Sequence, residues 1–291
     1  MAILRVLSCL DSGEAAVAIK RMLDIARPIA SQWGKEAVEA IRSGFYLSAS
    51  GTRVDWAKAV SASVAGKKSI APEAPLPTPG KPRFAETQVQ VSNETTLTGG
   101  ARLVAEGLRP LALNFANGIR PGGGFHTGAK AQEEALCRSS ALFATLEGDA
   151  MYEAHKQRPQ PDSTDWAILS PSVPVFRSDD GSALDQPWLL SFISSAAPVA
   201  THIGKAESAR LMDKRIRRIL SIARAYGYES LVLGAWGCGA FGNDGKATAI
   251  SFRTALESEF AGAFAKVLFA ITDWSPDRAF IGPFKETFNG A

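Results

Sequence analysis

The spacing of apolar residues changes character partway along this chain. Between residues 14 and 43, Ala15, Val17, Ala18, Met22, Leu23, Ile25, Ala26, Ala37, Val38 and Ile41 recur near the roughly 3.6-residue period of one helix face, with Pro28 and Gly34 as the expected breaks. From Ala65 to Phe84, Pro72, Pro75, Pro77, Pro79 and Pro82 stand among lysines, which favours an extended linker or surface strap over a packed element. Beyond the strap, short apolar runs alternate with amphipathic stretches. The first run is Leu111, Ala112, Leu113 and Phe115; the others are Trp166 to Ser170, Val173 to Phe176, Trp188 to Ser194, Ser230 to Leu233 and Val267 to Thr272. Such runs, bounded by Gly, Pro and Asp, read as buried strands, and their alternation with helices predicts an α/β fold. Between them, Glu207 to Tyr226 carries Leu211, Ile216, Ile219, Leu220 and Ile222 on one side; Lys214, Arg215, Arg217, Arg218 and Arg224 are expected on a solvated face.

Composition adds mainly exclusions. The chain has 291 residues, 46% hydrophobic and 21% charged, enough for one large domain or two small ones and unlike a disordered chain. Lys and Arg total 32 against 29 acids, so the net charge of +3 gives no nucleic-acid or membrane footprint, and no direct DNA binding is expected. Cys9, Cys137 and Cys238 are scattered, as are His126, His155 and His202, so neither a structural metal nor a cofactor is expected. At the N-terminus Arg5 and Asp11 interrupt the apolar run expected of a leader, and no apolar stretch approaches the roughly 18 residues of a membrane span. Reduced thiols and the lack of a leader pattern point to a cytoplasmic protein.

The candidate chemistry sits in two strand–loop–helix transitions. The first runs from Asn114 through Asn117, Gly122, Gly123 and Gly124 to Gln132, Glu133 and Glu134, which open a helix carrying Leu136, Ser140, Phe143 and Ala144. Consecutive glycines let backbone N–H groups approach an anionic or bulky ligand, and acids in a first helical turn also suit the helix dipole, so the pattern alone does not decide. The second transition is Gly234-Ala-Trp-Gly237-Cys238-Gly239-Ala240-Phe241-Gly242-Asn243-Asp244, leading into a helix near Thr248 to Phe260. Two such loops at the carboxyl ends of strands make a diphosphate cleft plausible. The spacing matches neither a dinucleotide-binding GxGxxG nor a GxxxxGK[ST] phosphate loop.

The pattern Gly-Gly-Gly, seven residues, Gln132-Glu133-Glu134 resembles the signature of poly(ADP-ribose) glycohydrolases of the bacterial type. Gly237 to Asn243 resembles the second ligand loop of the macrodomain fold on which those enzymes are built, and Asn114-Phe-Ala-Asn117 the asparagine motif before the first. The resemblance runs from about Glu94 to Trp274. It implies a macrodomain-like mixed sheet flanked by helices over residues 91–291, preceded by an N-terminal helical extension and Pro-rich strap over residues 1–90. It also implies hydrolysis of ribose–ribose O-glycosidic bonds in poly(ADP-ribose), or in ADP-ribosylated proteins, with ADP-ribose as product.

Under that resemblance Glu134 is the catalytic acid and base, and Glu133 positions ribose hydroxyls. Adjacent helical residues point about 100° apart, so one carboxyl must serve both steps. Asn117 would hold the terminal ribose. Gly122, Gly123, Gly124, Gly237, Gly239, Ala240 and Gly242 would offer amides to the diphosphate, with Gln132, Cys238 and Phe241 also in the binding set; Phe241 is a stacking candidate and Phe125 either core or contact. Two other readings stay open at this point. One is a non-catalytic ADP-ribose-binding macrodomain module, the other a macrodomain hydrolase acting on mono-ADP-ribosylated protein.

Overall fold

The computed structural model of the chain describes residues 3–289. In chain order the elements are β1 (Ile3–Val6), α1 (Gly13–Leu23), α2 (Arg27–Ser43), β2 (Phe45–Leu47), β3 (Arg53–Asp55), α3 (Ala57–Gly66), β4 (Lys68–Ile70), β5 (Glu86–Ser92), α4 (Thr96–Ala105), β6 (Pro110–Phe115), α5 (Gln132–Ser139), α6 (Leu142–Leu146), α7 (Ala150–Lys156), β7 (Ala167–Arg177), β8 (Ala183–Ser195), α8 (Ala200–Ile203), α9 (Lys205–Ala225), β9 (Ser230–Leu233), α10 (Gly245–Glu257), β10 (Lys266–Ala270) and α11 (Ile281–Asn289). A short 3-10 turn, Phe125–Thr127, lies between β6 and α5.

The main sheet has the order β1-β5-β10-β9-β6-β8-β7-β4. Pairs from β1 to β8 are parallel, whereas β7 runs antiparallel to both β8 and β4. The fold is therefore a mixed sheet flanked by helices. Side chains alternate between its faces. Leu111, Leu113, Leu231, Leu233, Val267 and Phe269 pack with α9, α10 and α11 on one face; Ala112, Val232, Leu268 and Phe192 pack with α2, α3, α5 and α6 on the other. β6 and β9 are neighbours, so the two glycine loops leave the same edge of the sheet side by side.

Several elements depart from the pattern in the sequence. The N-terminal segment is not only helical: Ile3–Val6 adds a strand beside β5, and Lys68–Ile70 closes the opposite edge beside β7. Pro28 does mark a break, sitting in the first turn of α2, where its missing N–H costs nothing. Gly34 breaks nothing; it lies inside α2 because a side chain there would run into Phe125. The two runs expected between Trp166 and Phe176 form one strand, with a register irregularity between Ser170 and Val173. The basic residues of α9 are not simply solvated. Arg215 is buried and donates to Ala196 O. Arg218 donates to the carbonyls of Ala71 and Ala74, and Arg224 to that of Gly80, so α9 pins down the proline-rich strap.

Candidate active site

β6 delivers Asn114 and the start of the first loop, and α5 brings Glu133 and Glu134 back beneath it. Asn114 is buried between strands, and its Nδ2 donates to Ser194 Oγ at 2.9 Å and to Glu133 Oε1 at 3.3 Å. The Asn117 amide donates to Glu133 Oε2 at 2.7 Å. Glu133 is thus clamped to the end of β6. Burial pushes its pKa up to about 8; the Asn117 and Asn114 hydrogen bonds oppose that rise, and the neighbouring Glu134 charge adds to it.

Glu134 is held differently. Its Oε1 accepts the Gly124 amide at 2.9 Å, while Oε2 is buried without a hydrogen-bond partner. A buried carboxyl oxygen with no partner is costly unless a ligand meets it. The triple glycine makes this geometry possible. A Cβ built on Gly123 would lie 2.3 Å from Glu134 Oε1 and 3.1 Å from Glu133 Oε2, and the residue adopts φ +58°. One on Gly122 would lie 2.8 Å from the Phe125 ring.

These amides do not face the cleft as a diphosphate cradle. The Gly122 amide supports Glu133, Gly123 donates to Arg120 O and Gly124 to Glu134. The first glycine loop therefore builds the carboxylate pair. Phe125 is fully buried against Phe143, with ring centroids 4.9 Å apart, and belongs to the core. The Gln132 side chain is wholly committed to structure: Oε1 accepts the Phe115 amide, and Nε2 donates to Leu113 O and Thr96 Oγ1. Asn117 Oδ1 accepts the amides of Ile119 and Arg120, which sets the loop's first turn.

The second loop is built to leave amides free. Gly237, at φ +74°, passes so close to Asn243 and Ala197 that a Cβ would lie 2.6 Å from Asn243 Nδ2 and 2.7 Å from Ala197 Cβ. Asn243 Nδ2 donates to the Pro198 and Gly237 carbonyls. The amides of Gly239, Ala240 and Phe241 have no acceptor among the described residues. Gly242 donates back to Gly239 O and closes the loop. Cys238 Sγ lies 3.5 Å from Trp236 O, and burial pushes its thiol up to about 11, which disfavours a thiolate nucleophile.

The cleft between the loops has an inner lobe of about 960 Å³ bounded by Asn117, Glu133, Glu134, Gly239, Ala240 and Phe241. Gln132 and Gly237 also border it, whereas Gly122, Gly123, Gly124, Cys238 and Gly242 do not. An outer lobe of about 1250 Å³ continues from it past Phe115, Gln132 and Gly239 to Trp274 and Phe280. Trp274 and Phe280 are 43% and 39% exposed. Their loop is shaped by Asp273, whose carboxylate accepts the amides of Ser275, Phe280 and Ile281. Burial alone would raise its pKa more than any one of these bonds lowers it, but together the bonds hold it below the ordinary 3.8. The sequence reading missed this lobe; the only signal was an aromatic residue just past the end of the β10 run. No group of three His, Cys, Asp or Glu able to hold a metal ion occurs among the described residues, and no helix among them is long and apolar enough to cross a membrane.

A family model described as the catalytic domain of microbial-type PARG matches residues 34–178. The structure is similar to that of poly(ADP-ribose) glycohydrolase from Thermomonospora curvata, at 37% identity and TM-score 0.83, covering 89% of this chain and 99% of that one. The same enzyme bound to the inhibitor ADP-HPD gives 37% identity and TM-score 0.82 over the same shares. Poly(ADP-ribose) glycohydrolase from Deinococcus radiodurans in complex with ADP-ribose is 32% identical with TM-score 0.71, covering 79% of this chain and 96% of that one. The chain belongs to the microbial-type poly(ADP-ribose) glycohydrolases. Curated proteins compared by sequence gave no match. The family match includes the first glycine loop and both glutamates of this glycohydrolase; the second loop lies beyond residue 178.

Proposed function

We propose that this glycohydrolase cleaves the ribose–ribose O-glycosidic bond of poly(ADP-ribose), releasing ADP-ribose, with Glu134 as acid and then base. The observation that carries the assignment of Glu134 is its buried, unpartnered Oε2 beside a cleft large enough for a nucleotide sugar. Protonated there, Glu134 gives its proton to the leaving ribose oxygen as the bond from the anomeric carbon breaks, and an oxocarbenium ion forms on the departing unit. The ionised carboxylate then takes a proton from water as its oxygen adds to that carbon, which restores the acid. Glu133, clamped from two sides by the end of β6, is poorly placed to act as a second catalyst and instead holds the loop.

The diphosphate falls to the free amides of Gly239, Ala240 and Phe241, which supply local positive potential without net charge. The outer lobe, with Trp274 and Phe280, suits the planar base. Two ligand loops leaving adjacent parallel strands support placing the sheet with the macrodomains, and three unpaired thiols suit a reducing cytoplasm.

The test is release of free ADP-ribose from polymer by the wild type and by Glu134→Gln. Loss of turnover by about a thousandfold with ADP-ribose affinity retained supports the assignment. Turnover in Glu134→Gln would overturn it. A wild type that binds polymer without cleaving it would make the chain a binding module, and cleavage confined to mono-ADP-ribosylated protein would move the substrate.

A further inference from the structure

Three successive carbonyls between the triple glycine and α5 meet one stripe of α2. Arg27 Nε donates to Thr127 O at 3.0 Å, and Ser31 Oγ donates to His126 O at 2.6 Å. Gly34 faces Phe125 O so closely that a Cβ there would lie 2.6 Å from the oxygen. Spaced i, i+4 and i+7, the three residues share one helix face. The fit is mutual: Gly128 adopts φ +80°, and a Cβ on it would lie 2.1 Å from Arg27 O. The segment 125–128 is therefore moulded on α2 and continues directly from Gly124, whose amide holds Glu134.

We propose that the Arg27–Ser31–Gly34 stripe is a positioning element for the glycohydrolase reaction, fixing the 125–128 turn and through it the direction of the Gly124 amide that aims Glu134. It gives the N-terminal helices a role in catalysis, and it rests on Glu134 being the acid. A closed hydrogen bond to one carboxyl oxygen leaves the other free to face substrate, and a shift of the turn would turn that oxygen away without touching the diphosphate amides of the second loop.

The decisive experiment measures kcat and KM on polymer, and ADP-ribose affinity, for Gly34→Ala and for the Arg27→Ala/Ser31→Ala double variant. The double variant adds no atom and reports on the same turn if Gly34→Ala does not fold. A control, Gly66→Ala, introduces a 2.8 Å contact with the Pro171 ring, and neither residue borders the cleft. The stripe variants are expected to lose about ten- to a hundredfold in kcat with KM and affinity changed less than about twofold. The control keeps its kcat, and Arg27→Lys/Ser31→Thr, which restores the donors, recovers most of the loss. Wild-type kcat in the double variant, or an equal loss in the control, would overturn the positioning role while Glu134→Gln still reads out the acid. Turnover in Glu134→Gln would overturn both.

Discussion

Gly124 and Glu134 are ten residues apart in sequence, yet the amide of one lies 2.9 Å from the carboxyl oxygen of the other. The bond forms because the chain between them turns back through the 3-10 turn and reaches α5 after four intervening residues, and because Gly123 leaves the space that a side chain would fill. Gly123→Ala should therefore damage the reaction before it damages the fold. The new methyl would lie 2.3 Å from Glu134 Oε1 at a backbone angle that disfavours alanine. A loss of about a hundredfold in kcat is expected, with about 1–3 kcal/mol of stability. Steady-state kinetics beside a thermal melt checks it; unchanged kcat would show that the carboxyl has room to move.

Glu133 should report its environment through pH. Burial raises its pKa from the ordinary 4.5 to about 8, so the folded protein holds this proton more tightly than the unfolded chain does. The stability it contributes is complete below about pH 4.5 and is lost as pH rises through about 8. Glu133→Gln cannot ionise. Between pH 5 and pH 9 its melting temperature should fall less steeply than that of the wild type, even if the variant starts lower through a weaker grip on Asn117. Parallel curves would mean that Glu133 is already ionised in the fold.

What could be read in advance was what lies close together in sequence. The triple glycine, the Gln-Glu-Glu run and the second glycine loop announced themselves because each is a local pattern. So did β6 and β9, whose runs from Leu111 to Leu113 and from Leu231 to Leu233 are apolar on both faces. β5 was invisible because Thr87, Gln90 and Ser92 are buried in it; Thr87 donates to Phe264 O and Gln90 to Ser8 O, partners far away in the chain. The same distance hid the use of Arg218 and Arg224 against the strap. The direction of the Gly122, Gly123 and Gly124 amides was equally out of reach, since composition says that a backbone can come close but not which way its N–H groups turn.

The second loop should control affinity where the first controls rate. Gly237 combines φ +74° with a position from which a Cβ would lie under 3 Å from Asn243 Nδ2 and Ala197 Cβ, so Gly237→Ala must shift the loop that carries the free amides. Weaker ADP-ribose binding by at least about tenfold is expected, since charge-assisted hydrogen bonds to a diphosphate are worth roughly 1.5–3 kcal/mol each. kcat at saturating polymer should change far less. Calorimetric titration with ADP-ribose provides the check, and intact affinity would move the diphosphate away from Gly239, Ala240 and Phe241.

His155 offers a pH dependence of opposite sign to that of Glu133. The Thr164 amide lies 3.1 Å from Nε2 and can only donate, so Nε2 accepts and Nδ1 carries the hydrogen that reaches Gly118 O at 3.0 Å. The ring is buried, and burial lowers its pKa below the ordinary 6.5, with Arg215 and Arg158 acting in the same direction; the Gly118 bond and Asp162 oppose them. The folded state thus favours the neutral ring. Its contribution is complete above about pH 6.5 and is lost as pH falls and Nε2 gains a proton facing the Thr164 amide. Gly118 follows Asn117 at the cleft, so acid should loosen that loop as well as the fold. His155→Asn keeps a donor near the Nδ1 position but cannot titrate. It should start about 1–3 kcal/mol less stable at pH 7, from the orphaned Thr164 amide, and then lose less between pH 7 and pH 5 than the wild type does. Denaturant melts at the two pH values decide the matter: equal losses in both proteins would mean that the ring stays neutral throughout, and that the acid sensitivity of the fold lies elsewhere.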